Sequence, residues 1–276
     1  MDNTNLTLQV LIAAMNENDF SLVKNMNIHC DCIMANQTDN SSKGDFDIGG
    51  NSIKVINSTF VGLGANRNLA LDNASADIVL FADDDLVYAD DMPEGVLSAF
   101  ETNPRADVIL FSCTETDSEG QVVYNYAPGQ GRRYMFNSLK FPTYVIAART
   151  KSLKRKKIRF SAMFGAGSSY SFGEDTVFLA DCFKAGLKVY GSDFNIGTST
   201  KELHWFEGYT DSFFITKGAV YKCIFGKSAP VYGLHFAKKY AKMSGIDKKL
   251  IYELMEKGME DYQKKIKTNN LHSTGL

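Results

Sequence analysis

The chain has no apolar run long enough to cross a bilayer, which excludes a membrane-spanning protein of the helical kind. Cysteine is scarce. The five present are odd in number and scattered, as expected of reduced thiols, which excludes a disulfide framework. His29, Cys30 and Cys32 in "HCDC" lack a second pair at zinc-finger spacing and read as the start of a strand. The opening stretch, "MDNTNLTLQVLIAAMNEND", has no basic region before its short apolar run. It reads as a first strand and not a signal peptide, so the expected location is the cytoplasm. There is no internal repeat, no Pro/Ser-rich linker and no nucleic-acid-binding motif. No G-x-x-x-x-G-K-[ST] is present, which excludes a P-loop protein, and "GLGANR" (62–67) puts Arg67 where a dinucleotide fingerprint needs its third glycine.

What remains is a globular chain of 276 residues with 44% hydrophobic residues, enough to bury a sizeable core. The net charge of -2 hides an asymmetry. From Ser212 onward twelve Lys face five acids, a balance of +7, so residues 1–211 carry 18 basic and 27 acidic groups, or -9. A basic tail on an acidic body suggests a surface that meets anions.

Strand and helix patterns alternate along the acidic body. "LQVLIAA" (8–14) reads as a buried strand, "DFSLVKNM" as a short helix capped by Asp19, and "CDCIMAN" and "SIKVIN" as further strands. "GANRNLALDNA" (64–74) has apolar residues at helical spacing and leads directly into the strand "ADIVLFA". "MPEGVLSAFETNP" reads as a helix with Pro93 in its first turn, followed by the strand "ADVILFSCTET". "GEDTVFLADCFKAGL" opens with acids and stops at Gly186, as a helix does, before a last strand "KVYGSD". Such alternation predicts an α/β fold with a mostly parallel central sheet flanked by helices, then a mainly helical C-terminal extension.

The run Ile78–Ala82 ends at three carboxylates, Asp83, Asp84 and Asp85. Like charges this close repel unless a cation sits among them, and ligands of open parallel sheets bind outside the carboxyl ends of the strands. A solvated acidic turn is the plain alternative. A calcium loop starting at Asp83 would need Gly at its sixth position, where Tyr88 stands. The chemistry better suits Mg²⁺ or Mn²⁺ held by one or two carboxylates, with substrate phosphates completing the shell.

These residues carry a resemblance. "ADIVLFADDD" resembles the strand and D-x-D motif of glycosyltransferases of the GT-A fold, especially the inverting family two. "VLIAAMNEN", "GANRNLALDNASADIVLFADDD" and "GEDTVFLADCFKAGLKVY" resemble, in order, that family's first strand and turn, its Arg-Asn helix leading to the metal strand, and its Glu-Asp helix with the following strand, over residues 6–210. "FGAGSSYSFGED" and "HWFEGYTDSFFITKGAVY" resemble bacterial members that build capsule, exopolysaccharide or O-antigen chains.

The resemblance implies a Rossmann-like GT-A domain at 1–211, with a nucleotide-sugar half over 1–115 and an acceptor half over 116–211, and a basic helical extension at 212–276. It implies Asp85 as direct metal ligand, Asp83 near the ribose and the metal, and Asp84 as the variable middle acid. Asp175 matches the catalytic base, supported by Glu174. Arg67 matches an Arg near the diphosphate or the metal-strand acids. Asn16 and Glu17 match the turn near the nucleoside. After the second strand, where many members have consecutive acids, this chain has Asn36, Gln37 and then Asp39, and base identity is left open. It also has Ala13 and Ala14 where many have Pro-Thr.

His204 is either a third metal ligand or a structural or acceptor-side residue. Trp205, Phe206 and Tyr209 form either a platform for an acceptor sugar or aromatic core. The basic run "RTKSLKRKKIR" (149–159) and the Lys-rich tail are either solvated faces or contacts with an anionic membrane surface. The expectation is a metal-dependent inverting glycosyltransferase taking a sugar from a UDP-sugar to a lipid-linked saccharide at the inner face of a bacterial membrane. A sugar nucleotidyltransferase and a non-catalytic carbohydrate- or metal-binding module are the alternatives.

Overall fold

The computed structural model describes residues 6–200 and 208–273. The chain divides into two units, Met1–Ala162 with Glu174–Glu202, and Met163–Gly173 with Leu203–Leu276.

The first unit is built on a mixed sheet. Its elements run β1 (Leu8–Met15), α1 (Ser21–Asn25), β2 (Asp31–Gln37), β3 (Ser42–Ile48), β4 (Asn51–Ser58), α2 (Leu63–Asn73), β5 (Ile78–Asp83), β6 (Leu86–Tyr88) and α3 (Met92–Thr102). They continue with β7 (Val108–Thr116), β8 (Val122–Tyr126), β9 (Gly131–Arg132), α4 (Met135–Ser138), β10 (Ile146–Arg149), α5 (Thr150–Lys156), α6 (Glu174–Lys184) and β11 (Val189–Thr200). The main strand order is β3-β4-β2-β1-β5-β10-β7-β11-β6. β4, β2, β1 and β5 are parallel, as is β11 with β7. β10 lies antiparallel between β5 and β7.

This topology explains the sequence pattern. β5 is central, so Ile78–Ala82 are wholly buried on both faces and read as an unbroken apolar run. Phe81 meets Phe160 and Phe178 edge-on at 5.1 and 5.4 Å, and those two rings stack at 4.2 Å. Each such ring contributes about 1.5–3 kcal/mol on burial. The trio ties β5 to the chain around residue 160 and to α6, which fixes the helix whose first residues are Glu174 and Asp175.

One expectation needs correction. Asp19 is not the cap of α1: Phe20 holds that position, while the Asp19 carboxylate accepts from the Ser21 N–H at 2.8 Å. The strand expected at "SIKVIN" is present as β4, parallel to β2, and it is also the second arm of a hairpin whose first arm, β3, is mostly exposed.

The second unit contains α7 (Asp211–Phe225), α8 (Ala229–Ser244) and α9 (Lys248–Ser273). Residues 163–173 group with it. Tyr170 donates its hydroxyl to Asp261 at 2.9 Å, and Phe164 stacks on Tyr170 at 5.1 Å. Among the described residues no helix is long and apolar enough to cross a membrane.

Candidate active site

The site forms at the carboxyl end of β5, within the first unit. Arg67 is its centre. It lies on the buried face of α2 with Gly64, Asn66, Ala70 and Leu71, so this helix turns polar residues inward. Asn66 donates to the carbonyls of Ala14 (3.0 Å) and Ala35 (2.7 Å), satisfying groups where β1 and β2 end. Asn68 exchanges two bonds with the Phe160 backbone, both at 2.9 Å. Gly64 permits the close approach that this requires, since a Cβ there would stand 2.7 Å from the Ser161 carbonyl oxygen. Together these contacts lock α2 and aim Arg67 at the strand end.

The Arg67 guanidinium is 2% exposed and reaches three carboxylates: Asp83 at 2.5 Å, Asp175 at 3.2 Å and Glu174 at 3.5 Å. Its face also lies over the Phe160 ring, 5.3 Å from the centroid. Burial works against its charge, but Asp83, Asp175 and Glu174 more than offset that, so it stays protonated. One cation serves three acids, and the acids respond unequally. Burial, then repulsion from Asp175, pushes Glu174 up to about 7, against the pull of Arg67. Asp84 is raised by partial burial and by Asp83.

Asp175 sits in the first turn of α6, where the dipole favours a carboxylate. Its Oδ1 accepts from Arg67 and from the hydroxyl of Thr143. Thr143 is fully buried in a short 3-10 turn after Pro142 and was not found from the sequence, because a lone Thr has no distinguishing pattern. Asp85 is braced by β11: its carboxylate accepts from Ser199 Oγ at 3.4 Å, and its carbonyl from the Thr200 N–H at 3.2 Å.

Asn16 follows β1 in a left-handed conformation (φ 58°), and its N–H donates to the Gln37 carbonyl at 2.9 Å. Glu17 lines a pocket of about 180 Å³ with Phe20, Lys43, Phe46 and Asn57. Asn36 is buried, accepts from the Glu17 N–H and donates to the Glu17 carbonyl and to Asn57. Gln37 accepts from the Gly62 N–H at 3.1 Å. Both amides that stand where many family members have acids thus hold the chain together. Asp39 is exposed. Tyr209 belongs to the second unit, where it packs on Phe213, Phe214 and Tyr240. His204, Trp205 and Phe206 lie outside the described residues.

Among the described residues, no group of three or more His, Cys, Asp or Glu converges as a metal cage. The donors at the strand end are the carboxylates of Asp83 and Asp85, with one Asp83 oxygen taken by Arg67. Two hard oxygen donors fit Mg²⁺ or Mn²⁺, which keep positions for phosphate and water, and fit no dedicated all-protein site.

A mixed α/β sheet with an acid-tipped central strand and a helical C-terminal region is a GT-A-like fold, and comparison with known proteins agrees. Residues 37–161 match the model of the family "Glycosyl transferase family 2". The crystal structure of S. aureus TarS 1-349 superposes with a TM-score of 0.59 at 13% identity, covering 94% of this chain and 92% of that one. The same protein in complex with UDP-GlcNAc gives 0.60 at 15% identity, covering 88% and 74%, and in complex with UDP 0.58 at 14%, covering 88% and 73%. No curated protein sequence matches the chain.

Proposed function

We propose that the chain is a metal-dependent, inverting glycosyltransferase that moves a sugar from a UDP-sugar to a saccharide acceptor. The observation that carries this reading is the single buried guanidinium shared by Asp83 at the end of β5 and Glu174 and Asp175 at the start of α6. It gathers, at the end of a GT-A-like sheet, the carboxylates that a sugar–diphosphate substrate and an attacking hydroxyl require. The UDP-GlcNAc and UDP complexes of TarS support a uridine donor.

Asp85, with Asp83, would hold Mn²⁺ or Mg²⁺, which when bound neutralises the charge that develops on the departing diphosphate. Asp175 is the base. Thr143 and Arg67 both occupy Oδ1, which orients the group and leaves Oδ2 to accept the proton of the acceptor hydroxyl. Attack from the face opposite the diphosphate inverts the anomeric carbon. Glu174 buffers the charge of the cluster, since protonating it leaves Arg67 facing two carboxylates instead of three. The acceptor we propose is a lipid-linked glycan of a bacterial surface polysaccharide, met at the inner face of the membrane.

Incubation with a panel of nucleotide sugars and Mn²⁺ tests the reading. Slow release of UDP from one of them, accelerated by a saccharide acceptor, is the expected result. Release of pyrophosphate from UTP and a sugar phosphate would make the chain a nucleotidyltransferase, and binding without turnover would make it a binding module.

A further inference from the structure

A second charged feature lies at the opposite end of β5 and takes no part in the chemistry above. β10 runs against β5, so its last residue, Arg149, pairs with Ile78, the first residue of that strand. α5 starts there, with the Thr150 N–H donating to the Asp77 carbonyl at 2.9 Å. Five residues of strand, about 17 Å, separate this point from Asp83.

An open pocket of about 580 Å³ lies here, lined by residues 74–77 and by Arg149, Thr150, Lys151, Lys154 and Arg155. Four cations face one carboxylate, that of Asp77, which already accepts from the Thr7 N–H (3.0 Å) and hydroxyl (2.9 Å). Arg149 donates to the carbonyls of Ala106 and Phe100, and Lys154 to the carbonyl of Ala74 at 2.7 Å. Carbonyls accept hydrogen bonds but neutralise no charge. The neighbouring Asp72 is bound by Arg159 through two bonds of 2.5 and 2.6 Å. Among the described residues none of the four cations has a salt bridge. Lys156 and Lys157 continue the exposed basic surface. All this positive charge stands on a body whose residues 1–211 sum to -9, so it is a local concentration and not a reflection of composition.

Thr150 adds an independent sign. It is 6% exposed, and its hydroxyl has no hydrogen-bond partner among the described residues. Leaving a buried hydroxyl unpaired is costly, so such groups are normally satisfied. Ser152, two residues on, is satisfied by Asp107 at 2.6 Å.

We propose that this pocket binds a phosphate-bearing anion. Lys151 and Arg155 supply the ionic contacts, the Thr150 hydroxyl supplies a hydrogen bond, and the charges of Arg149 and Lys154 supply the background field. Unlike the acid cluster, the pocket needs no metal to attract phosphate, and the proposal is independent of the transferase reading.

Calorimetric titration of inorganic pyrophosphate into the full chain in EDTA isolates this pocket. Without metal the acid cluster repels pyrophosphate. Saturable binding is expected, weakened at least about tenfold in Lys151→Gln/Arg155→Gln and by a smaller factor in Thr150→Val. The double variant alters exposed side chains, and its UDP release from nucleotide sugars should match that of the unaltered chain. Vesicle sedimentation then distinguishes the source of the phosphate. Binding to phosphatidylglycerol-containing vesicles, absent with phosphatidylcholine alone and lost in the double variant, assigns a lipid headgroup. Pyrophosphate binding without vesicle binding assigns a soluble phosphate. No pyrophosphate binding, or binding that the double variant retains in full, overturns the proposal.

Discussion

Replacing Arg67 by Met removes the cation that Asp83, Glu174 and Asp175 share, while keeping a side chain of similar length. The guanidinium is 2% exposed and its partner side chains are 25%, 12% and 28% exposed, so solvent screens the loss poorly. Removing one partner of a buried charge network costs roughly 3–5 kcal/mol, a large part of the 5–15 kcal/mol that stabilises a typical protein. Glu174 makes the cost depend on pH. Folded Glu174 holds its proton up to about 7, whereas its ordinary value is 4.5. The folded state therefore binds more protons across that window, and stability falls as pH rises through it, by roughly 3 kcal/mol at most. Arg67 pulls this value down, so without Arg67 the window extends above 7 and the penalty grows with pH. Denaturant unfolding of both proteins at pH 5.5 and pH 8 tests this. The expected penalty is about 3–5 kcal/mol at pH 8 and clearly smaller at pH 5.5. A penalty below about 1 kcal/mol, or one equal at the two pH values, would refute the shared-cation account.

Glu174→Gln should flatten the fall in stability between about pH 5 and 7 without unfolding the protein, as denaturant midpoints across that range will show. Gly64→Ala should destabilise by about 1–3 kcal/mol, because the Ser161 carbonyl oxygen stands 2.7 Å from the new Cβ; thermal unfolding measures it. Thr143→Val should slow sugar transfer by about tenfold with UDP–Mn²⁺ affinity unchanged, since it removes a hydrogen bond that orients Asp175 and no contact with Asp83 or Asp85.

The sequence displayed β5 and its acids plainly, because a strand buried on both faces leaves an unbroken apolar run and Asp83–Asp85 interrupt it abruptly. α6 was equally legible: its acids open the helix and Gly186, at φ 77°, closes it. The inward face of α2 was legible only for Arg67, and only through the resemblance that sets it near the strand acids; by pattern alone Asn66 and Arg67 look like surface residues until the acids and strand-end carbonyls that they serve are in place. β10, only four residues long, carries no alternation to distinguish it from a loop. β3 lacks a buried apolar face, yet its signal was present in Gly49–Gly50, both at positive φ and suited to a tight hairpin turn. Thr143 acts through one hydroxyl, and only folding reveals that Asp175 lies beside it.

The proposed role of Asp175 is tested most directly by Asp175→Asn, assayed for sugar transfer and, separately, for UDP–Mn²⁺ affinity. Amide for carboxylate keeps the shape but removes the proton acceptor. Transfer should fall by roughly two to four orders of magnitude while UDP–Mn²⁺ binding persists, because that binding is assigned to Asp85 and Asp83. Near-normal transfer would contradict the base assignment, and a joint loss of transfer and UDP–Mn²⁺ affinity would contradict the division of labour between the two ends of the Arg67 cluster.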